Sequence, residues 1–221
     1  MSKPLTLEEL KNSSPEDFKK RIPSLRKFPS PPKAPVASTA PPPETGMEPY
    51  TGQWTQREAK HLINRVLFGA NKENIDLTIS QGMDSSVELL LADYDIPSPP
   101  LNTTGDFNVP IGETWVDAHL ESIDQINSRA VSLFSWTVGL LVNQDYSIRE
   151  KMTLFWHNHF VVQGEVVEDP RLVYKHVTLL RENGLGNFRE FAKVITIDPA
   201  MLRYLNGNQN FNIAPNENYA R

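Results

Sequence analysis

The chain has no cysteine among its 221 residues. That removes disulfides, thiolate metal sites and cysteine nucleophiles from consideration. It also has no excess of basic charge. Lys and Arg number 22 against 27 Asp and Glu, a net charge of −5, and only Lys19, Lys20 and Arg21 form a short basic run. A general nucleic-acid binder, whose electrostatic footprint is basic, is not expected. No run approaches the ~18 apolar residues of a membrane span, and the first residues, Met-Ser-Lys-Pro-Leu-Thr-Leu-Glu-Glu-Leu, show no apolar export core. As written, the sequence reads as cytoplasmic, without a membrane span.

Large apolar residues are scarce in the first quarter. Mean hydropathy is −0.42, pulled down by a segment that holds Pro29, Pro31, Pro32, Pro35 and Pro41-Pro42-Pro43. Proline donates no backbone hydrogen bond and favours extended chain. Residues 23–53 therefore read as a proline-rich, disordered tether. Ahead of it, Ser14-Pro15-Glu16-Asp17 has the form of a helix start, so residues 1–22 read as a short helical lead.

From Trp54 the pattern is helical. Thr55 and Glu58 form a capping-box spacing, followed by Ala59, Leu62, Ile63, Val66 and Leu67 at three- and four-residue steps. Two short helices are expected over 71–80 and 85–92, then a Pro/Gly/Asn-rich loop over 93–113. The longest helical pattern runs from Trp115 to Val142. Ser147 is placed to cap the next helix, with a buried stripe of Ile148, Met152, Phe155, Trp156 and His159. Further helices are expected through Leu172–Leu180, through Phe188–Ile195 after Asn187, and after Asp198-Pro199. No strand and no repeat is found. The expected fold class is all-α: an irregular helical bundle over 54–221, after the tether. Asn and turn residues crowd 206–218, and Pro215-Asn216-Glu217-Asn218 resembles a helix start close to Arg221. The domain is therefore expected to be truncated at its C-terminal end.

The candidate chemistry centres on Phe155-Trp156-His157-Asn158-His159-Phe160. Residues two apart on a helix point about 200° apart, so His157 and His159 cannot share one ion from a regular helix. His159 is expected on the buried stripe, and His157 on a face with Glu150 and Thr153. If the next helix folds back, His176 approaches, with His119 on the long helix as a third. Three imidazoles with an open position suit a divalent metal such as zinc. Glu165, Glu168 and Asp169 on the following loop are candidate carboxylate ligands or a general base. The competing reading makes each histidine a core or helix-end residue bonded to a carbonyl. Asn208, Asn210, Asn216 and Glu217 are candidates for binding a polar ligand, because amides both donate and accept.

Several segments also resemble a known family. They are Glu58-Ala59-Lys60-His61-Leu62-Ile63-Asn64-Arg65-Val66-Leu67-Phe68-Gly69, the run Arg149 to Phe160, Gly186-Asn187-Phe188-Arg189-Glu190, Asp198-Pro199-Ala200-Met201-Leu202-Arg203-Tyr204-Leu205, and Ala214 to Arg221. In order and spacing they resemble the N-terminal portion of the bacterial domain of unknown function 1800 family, over about residues 54–221. The resemblance implies a large, mainly helical protein whose relatives are often exported. It supplies no catalytic residues. Two functions follow as expectations: a scaffold or binding protein with a protein partner or a polar polymer, and alternatively a metal-dependent hydrolase using His157 and His159.

Overall fold

The computed structural model describes residues 49–213 apart from 93, 94 and 104. The short helical lead over 1–22, most of the tether, Asn216 and Glu217 lie outside the described residues. Gly52–Arg221 is one compact unit. Among its described residues there are nine α-helices and no strand, so the all-α expectation holds.

Helix α1 spans Gln56–Val66 and starts as its sequence dictates: the Thr55 hydroxyl accepts the Arg57 N–H, while the Glu58 carboxylate accepts the Thr55 N–H at 3.2 Å. Helix α2 (Lys72–Gln81) is capped by Asn71, whose side chain accepts the Asn74 N–H at 2.7 Å. It turns into α3 (Met83–Leu91) through Gly82, at φ 79°, a value that an L side chain adopts only with strain. Ile63, Leu67 and Leu90 bury the contact among these helices.

The long helix, α4, spans Ile123–Val142 and is capped by Ser122 with Gln125 as its reciprocal partner. The helical pattern read from Trp115 thus begins eight residues later in the fold. The physical reason is Arg129. Its side chain is fully buried and donates to the carbonyls of Ala118 and His119, both at 2.9 Å, and to Asp106 at 2.6 Å. Those carbonyls are engaged by a guanidinium rather than by a helical N–H. Trp115 is also fully buried, its indole N–H donating to Ser132 at 2.9 Å. Trp115 and Val116 are apolar because they are buried in the core with Leu133 of α4, not because they extend that helix.

The remaining elements are α5 (Arg149–His159), the single turn α6 (Gly164–Val167), α7 (Pro170–Asn183), α8 (Phe188–Thr196), α9 (Pro199–Tyr204) and a 3-10 turn at Gly207–Gln209. Asp169, Asn187 and Asp198 cap α7, α8 and α9, each accepting backbone N–H groups of the first turn. Helix α7 is the hub: it packs on α4, α5, α6, α8 and α9.

Candidate functional site: an apolar groove between α4, α5 and α7

Helices α4, α5 and α7 enclose a cavity of about 380 Å³. Helix α5 contributes Glu150, Thr153, Leu154 and His157, a single face at three- and four-residue spacing. Helix α7 contributes Pro170, Val173, Val177 and Arg181. Helix α4 supplies the opposite wall through Ala130, Leu133, Phe134 and Thr137 among others. The walls are mostly aliphatic. The two charged groups neutralise each other: the Arg181 fork donates to Glu150 at 2.8 and 2.9 Å, and the guanidinium lies 5.0 Å from the Trp136 ring. The Thr153 hydroxyl donates to the Arg149 carbonyl at 2.9 Å.

His157 is the polar group left facing the groove. Its burial, and then the charge of His176, hold its pKa below the ordinary histidine value, so the neutral imidazole is the form the fold favours. The His157 and His176 rings are 6.0 Å apart. His176 is fully buried, with Nδ1 3.0 Å from Asp198 Oδ2 and Nε2 3.0 Å from the Phe160 carbonyl. Both oxygens are acceptors, and Asp198 Oδ2 also takes the Met201 N–H at 2.9 Å. His176 thereby joins the C-terminal carbonyl of α5 to the N-cap of α9.

His159 stands elsewhere. The expectation that it lies on the buried stripe with Phe155 is corrected: both are exposed, Phe155 by 54%. The face of α5 that is buried holds Glu150 and Thr153, with His157 half-buried. Apolar spacing misplaced this helix because its buried polar residues are partnered, Glu150 by Arg181 and Thr153 by a carbonyl. The aromatic residues form a second contact instead. Trp156 is stacked between Phe160 and Phe188 at 5.7 Å each, and His159 meets Trp156 and Phe160 edge-on at 5.9 and 4.8 Å.

The other candidates are dispersed. His119 is on the loop before α4, not on the helix, and its carbonyl serves Arg129. Asp169 caps α7 and pairs with Arg171 at 2.7 Å. Burial pushes its carboxyl up, but the Arg171 hydrogen bonds and charge outweigh this and hold it below the usual range. Glu168 faces Arg203 at 3.6 Å, and Glu165 accepts from Gln163 at 3.2 Å. Asn208 and Asn210 are exposed at the 3-10 turn. Among the described residues, no three of His, Asp and Glu come together as a metal-ligand set, and no helix is long and apolar enough to cross a membrane.

Sequence reasoning did not single out Arg181 or the outer face of α4. One signal was available. Ala130 to Val142 holds no Asp, Glu, Lys or Arg, as in a helix covered all round. Yet Val131, Phe134 and Val142 are 65%, 71% and 74% exposed.

Fold and site together define an all-helical protein with an apolar groove beside an uncovered helix face. The chain belongs to the family described as protein of unknown function (DUF1800), which matches residues 61–221. That match takes in the C-terminal part of this chain, and the reading of the resemblance as the family's N-terminal portion is not borne out. No curated protein and no solved structure matches the chain.

Proposed function

We propose that the chain is a binding or scaffold protein that receives the apolar face of an amphipathic helix along the groove and the adjoining face of α4. The observation that carries this reading is the uncharged stretch of α4. Its exposed residues, Val131, Phe134, Val138 and Val142, follow the three- and four-residue steps of a helix-packing ridge. Docked helices bury such ridges with apolar anchors at the same spacing. The groove favours an apolar visitor because Glu150 and Arg181 are already paired and His157 is held neutral.

Nile red, an uncharged dye, reports accessible apolar grooves. Wild-type protein at low concentration is expected to bind it. Thr137→Trp, which fills the cavity, is expected to weaken binding at least about tenfold, a change of ~1.4 kcal/mol. Absence of dye binding, or equal binding by the variant, would sink the reading.

The metal-dependent hydrolase is the second reading. The proximity of His157 to His176 speaks for it, and the engagement of both His176 nitrogens speaks against it. Elemental analysis of protein purified with zinc separates the two. Stoichiometric zinc that is lost in His157→Ala would favour the hydrolase.

A further inference from the structure

We infer that the cavity between α4, α5 and α7 binds an uncharged hydrophobic molecule of two-ring size that carries a single hydroxyl, and that this hydroxyl pairs with the ring of His157. This rests on the groove reading and deepens it: a docked helix covers the α4 ridge, and the small molecule fills the hollow behind it.

Volume sets the size. One benzene ring fits an apolar cavity of about 150 Å³. This cavity measures about 380 Å³, which is room for a two-ring skeleton and lies in the range of small-molecule sites. A helix is ~10 Å across and reaches such a space only with side chains.

The polar inventory sets the chemistry. The polar side chains lining the cavity are Thr137, Glu150, Thr153, His157 and Arg181. All but His157 are engaged within the fold. Thr137 Oγ1 donates to the Leu133 carbonyl and Thr153 Oγ1 to the Arg149 carbonyl, both at 2.9 Å. Arg181 holds Glu150 through two hydrogen bonds. Among the described residues, the His157 ring meets His176 edge-on, with centroids 6.0 Å apart, and makes no hydrogen bond. A guest that covers this ring without bonding it strands a polar group away from water. A hydroxyl avoids this whichever ring nitrogen carries the proton, because it donates to the bare nitrogen or accepts from the N–H.

A carboxylate or an ammonium is a poor guest. The charges in the cavity already neutralise each other, so an ionised group entering it loses water and gains no free counter-charge. Burial and the neighbouring His176 also keep His157 from supplying a positive charge at neutral pH.

Three probes of one shape test this by isothermal titration calorimetry of the full chain at neutral pH: naphthalene, 2-naphthol and 2-naphthoate. Partitioning alone favours naphthalene, which has no hydroxyl to desolvate. Tighter binding of 2-naphthol, at one site per chain, is therefore the signature of the hydrogen bond and is the expected result. The naphthoate is expected to bind at least about tenfold more weakly than the naphthol. His157→Leu is expected to reverse the order of naphthol and naphthalene, and Thr137→Trp, on the opposite wall, to abolish binding of both. The wild-type order needs no variant to fold. Naphthalene or naphthoate bound as tightly as naphthol overturns the inference, and so does an unchanged order in a natively folded His157→Leu chain. If none of the three binds while Nile red binding stays sensitive to Thr137→Trp, the inference falls and the docking reading stands, with helix side chains filling the cavity. If Nile red does not bind either, both fall.

Discussion

Replacing Arg181 by methionine removes one half of a buried pair and leaves the other half in place. Glu150 then keeps its carboxylate at 11% exposure, with Arg181 no longer donating at 2.8 and 2.9 Å. On one side Glu150 lines the groove with Leu133, Leu154 and Val177, and on the other a smaller pocket with Gln144, Ser147 and Arg149. Breaking such a pair costs about 3–5 kcal/mol, because an uncompensated charge stays buried. The contact of the guanidinium with Trp136, 5.0 Å away, is lost as well. For a chain of this length ~1 kcal/mol shifts the melting temperature by about 2–4 °C, so Arg181→Met is expected to melt about 6–20 °C below wild type.

The double variant Glu150→Leu, Arg181→Met discriminates between two accounts of that loss. If the loss is the stranded charge, removing both charges restores most of it, to within about 1 kcal/mol of wild type. If the loss reflects the attraction itself, the double variant is as unstable as the worse single. Urea denaturation of wild type, both singles and the double gives the coupling energy directly. An Arg181→Met chain destabilised by less than about 1 kcal/mol would mean that water reaches Glu150 freely, and the groove as described would be wrong.

Two further outcomes follow from the same geometry. His157→Ala is expected to destabilise the fold by about 1 kcal/mol or more, and exposed His159→Ala by no more than about 0.5 kcal/mol; equal thermal shifts would refute the placement of α5. Because the folded pKa of His157 lies below its unfolded value, the unfolded chain takes up a proton first as pH falls below about 6.5. Stability is then lost on acidification through the folded pKa, and His157→Gln should flatten the urea midpoint between about pH 7 and pH 5. At lower pH the same reasoning applies to Asp106. Burial pushes its carboxyl up, but the hydrogen bond and charge of Arg129, with the Asn108 N–H and Gln125, outweigh burial and hold it below the ordinary aspartate range. Its contribution is present above about pH 4 and disappears as pH falls through the folded value. An acid titration whose slope is unchanged in Asp106→Asn would refute this.

The helices were legible because their ends carry their own chemistry. Thr55 with Glu58, Asn187, and Asp198 before Pro199 each announce a first turn, and each makes the expected cap in the fold. Local signals of this kind depend on neighbours within four residues. The failures came where distant groups decide. Nothing near Trp115 states that Arg129 will take the carbonyls of Ala118 and His119, so the sequence alone reads as helix from Trp115 onward. Nothing near Glu150 states that Arg181, on another helix, will allow it to be buried, so the aromatic side of α5 was read as the buried one. In both cases a buried arginine reverses the rule that charged residues mark the outside. The groove was illegible for the same reason, since its walls come from three helices whose arrangement those arginines help to fix.

The histidines that invited a catalytic reading can be understood through this arrangement. His176 joins the Phe160 carbonyl to Asp198, two helix ends that would otherwise hold unsatisfied groups in the core. It is buried because it completes both ends. His157 sits one layer further out, against the ring of His176 and facing the groove. A proton there would have to share the space with the charge of His176, and burial already disfavours it. The pair therefore divides labour by depth: the inner ring holds the helices, and the outer ring keeps the groove uncharged at neutral pH. A groove kept uncharged beside a helix face kept free of charge is suited to taking up another apolar helix. The proposed binding reading accounts in this way for the Glu150–Arg181 pair and for His157 together.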